Sequence, residues 1–99
     1  MNLTIVVSND GLTRIVKARR LDQWFAVHHQ VDRTEFVVTH ILTGFRACYA
    51  PNLKAARDVA RSLTSAFGDK WNFVKPTKRA MKSVHEAKSI IIKAGCFHR

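Results

Sequence analysis

The residues of this chain that could carry proton transfer, metal or nucleophilic chemistry are five histidines, two cysteines and seven carboxylates. Their spacing argues against each in turn. His28 and His29 are neighbours, and neighbours in a strand point to opposite faces, so they cannot share a metal ion. Cys96-Phe97-His98 offers two ligands with no CxxC pair or paired-histidine motif to complete a site. His40 and His85 stand apart from both. Asp10, Asp22, Asp32, Glu35, Asp58, Asp69 and Glu86 are dispersed, mostly at turn positions where Asp bonds its own backbone. A metal nuclease needs clustered carboxylates. The serines sit in no GxSxG elbow, and neither a Walker loop nor a dinucleotide fingerprint is present. The expectation is a protein that is not an enzyme, with no cofactor and no metal.

The remaining chemistry is that of cations. Seventeen Lys and Arg stand against seven Asp and Glu, a formal net charge of +10, which attracts polyanions. The last 25 positions carry +6 of it, in Lys75, Lys78, Arg79, Lys82, Lys88, Lys93 and Arg99 against Glu86. Lys78, Lys82 and Lys93 fall near one line of a helix surface, and such a row neutralises repeating phosphates with release of counterions. A second cluster is Lys17, Arg19 and Arg20, with Arg14 on the strand face opposite Lys17; arginine forks suit phosphate oxygens. Trp24, Trp71, Phe73 and Phe97 are candidates for stacking on bases, Trp71 above the others because Lys70 and Lys75 flank its segment. The predicted nucleic-acid-binding residues are therefore Lys75, Lys78, Arg79, Lys82, Arg19, Arg20, Lys17 and Trp71. Contacts of this kind address the backbone and do not discriminate DNA from RNA.

These side chains need elements to hold them. With 99 residues and 46% apolar content, the chain is expected to form one packed domain over residues 1–99. Leu3, Ile5 and Val7 alternate with polar neighbours, Asn9-Asp10-Gly11 can turn tightly, and Leu12–Ala18 would return as a strand. Trp24–Val31, Glu35–Leu42 and Phe45–Ala50 read as further strands, with turns at Asp32-Arg33-Thr34 and Thr43-Gly44; Leu21–Trp24 could instead form a short helical turn. Positions 1–50 are thus mostly β. Asn52 is a good N-cap, and Leu53, Ala56, Val59, Ala60, Leu63, Ala66 and Phe67 form the stripe of an amphipathic helix over 52–68, stopped by Gly68. The period-two pair Trp71 and Phe73 suggests a short sixth strand or a plug over the core. Thr77 can cap a basic amphipathic helix over 77–94 whose apolar face is Ala80, Val84, Ala87, Ile91 and Ala94, with Met81 and Ile90 beside it and Gly95 as its stop.

The fold class expected is α+β, with an antiparallel sheet of about five strands in two or more hairpins, followed by two helices packed mainly on one face. The strand Glu35–Leu42 is apolar on both faces, so the second helix or another molecule must cover the second face. Two cysteines are too few for a disulfide scaffold, which points to free thiols, Cys48 in a strand and Cys96 near a frayed end, in a cytoplasmic, reducing setting. No run approaches about 18 apolar residues, and the opening Met1–Val7 lacks a basic leader region, so neither a membrane span nor a signal peptide is expected. The alanine-lined face of the second helix is too shallow for a membrane surface.

No motif matches a family closely enough to transfer residues. The strand–turn–strand–helix run from Phe36 to Phe67 resembles, in general style, small accessory proteins of phages and mobile elements. Two functions follow as expectations. The first is a small basic nucleic-acid-binding module contacting the phosphate backbone. The second, which that resemblance implies, is a protein-binding inhibitor or adaptor acting on a host enzyme or a nucleic-acid-handling defence complex. The doubly apolar strand and Ile90-Ile91-Ile92 would be its contact surface, which a homodimer could equally hide.

Overall fold

The computed structural model describes the backbone of residues 2–9, 12–29, 35–74, 82 and 85–97, and the side chains of these from Ile15 onward. Five strands, β1 (Asn2–Asn9), β2 (Leu12–Arg20), β3 (Phe25–His29), β4 (Phe36–His40) and β5 (Arg46–Ala50), form one antiparallel sheet in chain order. The helix α1 (Leu53–Phe67) follows, then a 3-10 turn over Gly68–Trp71, then a short helix α2 (Lys88–Lys93). The fold is α+β. Lys82, His85 and Glu86 are also helical, whereas Thr77, Ala80, Met81 and Val84 lie outside the described residues, as do the turns predicted at Asp10-Gly11 and Asp32–Thr34.

The boundaries of α1 follow from its ends. The Asn52 side-chain oxygen accepts from the Ala55 N–H at 2.8 Å, a cap worth about 1 kcal/mol. Gly68 ends the helix at φ +48°, a left-handed angle that favours glycine. Between them Ala55, Ala56, Val59, Ala60 and Leu63 are buried. They pack with Phe25, Val27, Val38, Cys48 and Ala50 of the sheet, with Trp24 in the bend before β3, and with Ala87, Ile91 and Cys96 near α2. Each large side chain so buried contributes about 1.5–3 kcal/mol. Gly95, at φ +81°, stops α2. Cys96 then turns back into the core instead of fraying, with its thiol donating to the Ala55 carbonyl at 3.6 Å, and Phe97 pairs with Tyr49 through two backbone hydrogen bonds of 2.8 and 3.0 Å.

Both faces of β4 are buried, but the described helices do not cover the second one. The sheet curls instead. The β2–β3 ladder holds only the pairs Arg19–Val27 and Arg20–Ala26, and β1 returns to within 8 Å (Cα–Cα) of β5. Ala18, Ala26, Val37, Thr39 and Tyr49 are buried, with Val16 and Ile41 packed on the Ala18–Ala26 contact. The sheet thus supplies its own second layer.

Of the two forms expected for Trp71 and Phe73, a short sixth strand or a plug over the core, the structure shows the plug. Trp71 ends the 3-10 turn and plugs the core: its indole N–H donates to the Leu63 carbonyl at 2.9 Å, and its ring meets Phe25 edge-on at 4.9 Å. Period two marks these residues because both flank the same buried side chain. Phe73 lies over His40, with ring centroids 4.8 Å apart.

Candidate nucleic-acid interface

Four arginines converge where the end of β2 approaches α1. Arg19 and Arg20 close the strand, and Arg57 and Arg61 stand one turn apart on the exposed side of α1. Together with Leu21, Asp22, Ala60, Thr64 and Ser65 they line a groove of about 730 Å³. Arg19 lies opposite Val27 in the ladder and so shares the face that packs on α1. Arg20 lies on the other face and reaches round the bend, where its guanidinium donates to the carbonyls of Asp22 and Gln23, each at 3.3 Å.

Asp22 fastens the two sides of this groove. One carboxylate oxygen accepts from the backbone N–H groups of Trp24 at 2.9 Å and Phe25 at 3.0 Å. The other accepts from the Thr64 hydroxyl at 2.6 Å. The segment Leu21–Trp24, for which a short helical turn is the alternative in the sequence, is a bend built round one carboxylate, which is tied across 42 residues to α1. Asp22 spends its oxygens on these donors, and among the described residues no carboxylate forms an ion pair with the four guanidinium groups. Arg20 keeps its charge when it donates to neutral carbonyls. The groove is a concentration of cations held by a frame rather than by counter-charges.

A second, smaller cleft of about 340 Å³ opens beside it, lined by Lys17, Ala18, Arg19, Val27, His28, His29, Phe36 and Leu53. Arg19 borders both. The exposed His29 ring lies 4.0 Å from that of Phe36, and the half-buried His28 contacts Thr39 Oγ1 through Nε2 at 3.3 Å. Burial lowers the pKa of His28 below its ordinary 6.5, against a raising hydrogen bond to the His29 carbonyl.

The predicted site residues separate into three groups. Lys17, Arg19 and Arg20 are exposed and adjoin the two clefts, and Lys82 is exposed elsewhere on the chain. Lys75, Lys78 and Arg79 lie outside the described residues. Trp71 is 3% exposed, so it offers no face to a base; Trp24, at 6%, is likewise core. Both tryptophans find their room under α1, where aromatic area is worth most. Arg57 and Arg61 were missed. Their i, i+4 spacing on the polar side of a well-marked helix was the available signal, but only the fold reveals that they face Arg19 and Arg20.

The remaining reactive groups are held in the core. His40 is buried, its Nε2–H donating to the Trp71 carbonyl at 2.7 Å and its Nδ1 accepting from Thr43 at 2.9 Å, and burial depresses its pKa. Cys48 and Cys96 are free and buried, and a hydrogen bond to the Cys96 thiol, together with burial, pushes Cys48 up and keeps it protonated. Among the described residues no three His, Cys, Asp or Glu groups come together, and no helix is long and apolar enough to cross a membrane. The chain matches no protein-family model, and neither a curated protein nor a solved structure shows significant similarity to it.

Proposed function

We propose that this chain is a small non-enzymatic module that holds nucleic acid by its phosphate backbone, with the groove between β2 and α1 as its principal contact. The observation that carries this reading is the convergence of Arg19, Arg20, Arg57 and Arg61 on one groove, with no ion pair from them to a carboxylate among the described residues. Guanidinium forks match phosphate oxygens, and the surplus of +10 on the chain adds attraction at longer range. Lys17 extends the basic surface along β2, and Lys82 with Lys75, Lys78 and Arg79 adds a second basic segment.

The test is fluorescence anisotropy with labelled DNA and RNA oligonucleotides at two salt concentrations. Arg57→Glu with Arg61→Glu should weaken binding at least tenfold while circular dichroism stays native, because both side chains are exposed. The slope of log K against log salt should become shallower by roughly 1.4–1.8, corresponding to two lost phosphate contacts. Equal affinity in the double variant would overturn the assignment.

One observation favours contact with a protein. Ile92 is 69% exposed and Val74 65%, which are large apolar residues to leave in water. An inhibitor or adaptor would use them, and capture of a defined acidic protein from nuclease-treated lysate, lost in Ile92→Glu, would support that reading.

A further inference from the structure

The smaller cleft has a feature that phosphate binding does not require. β2 and β3 both continue past the pair Arg19–Val27, yet their ladder stops there. Continued pairing would set Ala18 against His28 and Lys17 against His29. Among the described residues no ladder pair joins those positions, and a cleft lies beside them. Strand edges of this kind hold hydrogen-bonding groups that seek partners. The cleft of about 340 Å³ opens in this gap, with Val27, Phe36 and Leu53 as apolar walls, the His29 ring at its rim, and Lys17 and Arg19 beside it.

We infer that this cleft receives one unpaired nucleobase, so that the ligand class is single-stranded nucleic acid. The inference rests on the backbone-binding reading above and narrows it. A base is flat, aromatic on its faces and polar at its edge. The cleft offers the complement: the aromatic pair His29 and Phe36 on one side, and the β2 main chain with Lys17 and Arg19 on the other. Arg19 borders both the cleft and the groove, so it is placed to hold the phosphate next to the inserted base while Arg20, Arg57 and Arg61 take the phosphates that follow. In a duplex the bases are paired and stacked inside, so only the backbone reaches the protein. Stacking is tolerant of sequence because every base has a π-face, so a preference for single strands with little sequence selectivity is expected.

The test compares four labelled ligands of equal length on the full chain: oligothymidylate, oligouridylate, a DNA duplex, and an abasic strand that keeps the phosphates. The two base-bearing single strands should bind at least tenfold more tightly than the duplex and the abasic strand. His29→Ala, at an exposed position, should remove most of that preference and leave duplex affinity unchanged. Phe36→Leu, which keeps an apolar residue against the core, should do so in part. If all four ligands bind equally and all depend on Arg57 and Arg61, the cleft assignment falls and the groove survives. If His29→Ala leaves the preference intact, the cleft assignment also falls. If no ligand binds, or binding ignores Arg57 and Arg61, both readings fall.

Discussion

Arg57 and Arg61 stand on a helix of fifteen residues that is capped by a side chain at its start and stopped by glycine at its end, and five of its residues are buried. Lys88 and Lys93 stand on a helix of six residues with no side-chain cap, whose one buried residue is Ile91. The two regions are alike in charge and unlike in support. Among the described residues, five buried side chains hold α1 to the core, while α2 is held by Ile91 and by Ala87 just before it. A cation on α1 is presented in a fixed place, facing two more on β2. A cation on α2 has no comparable partner surface among the described residues. Charge density along the chain and convergence in space point to different surfaces, and the proposed function rests on convergence: a guanidinium already held in position loses less freedom when a phosphate arrives.

The contrast is broken most directly by reversing the weaker side. Lys82→Glu, Lys88→Glu and Lys93→Glu together should reduce oligonucleotide affinity by no more than about threefold, through loss of long-range attraction, against at least tenfold for the pair on α1. A larger loss in the triple variant would move the principal contact to the C-terminal run.

A second variant acts on the frame and not on the charges. Asp22→Ala removes the acceptor for two backbone N–H groups and for the Thr64 hydroxyl, and should cost about 1–3 kcal/mol by urea denaturation. It should also weaken binding, even though it removes a negative charge from the groove. Tighter binding would mean that Asp22 acts by its charge alone and that the frame is dispensable. Asp22→Asn, which keeps an oxygen for the backbone donors, should be milder on both counts.

The smallest effect at neutral pH concerns His40. Its folded pKa lies below the ordinary 6.5, chiefly because burial disfavours the charged ring. The unfolded chain therefore binds the proton more readily. The stability this neutral ring supports is complete above about pH 6.5 and declines as the pH falls below it. Urea midpoints at pH 7, 6 and 5 should fall in that order. His40→Gln, which can still donate to the Trp71 carbonyl, should flatten the dependence, with His28 accounting for part of what remains.

Much of the fold could be read from local pattern. Five strands, α1 and its two end signals are written in alternation, in three- and four-residue spacing, and in Asn52 and Gly68, each of which acts within a turn or two. The site was half legible. Arg19 and Arg20 stood out as neighbours, but Arg57 and Arg61 reach the same groove through the packing of α1 on the sheet, where Asp22 meets Thr64 in a contact no periodicity announces. Trp71 misled for a related reason. An aromatic between lysines has the same local signature on a surface as in a core, and what buries it is a carbonyl at Leu63 and a ring at Phe25, both distant in the chain. The second face of β4 called for a cover, and the curl of the sheet that provides it is a property of the whole.

The pairing of Phe97 with Tyr49 bears on how copies of this chain behave in a crowd. β5 is the last strand of the sheet, and its outer rim would otherwise invite a foreign strand to zip alongside. By seating Phe97 there, and sinking Cys96 beside it, the molecule occupies part of that vacancy with its own backbone. On the proposed function, in which copies gather along a polyanion at high local density, such a guard lets neighbours line up on the ligand without fusing into fibrils.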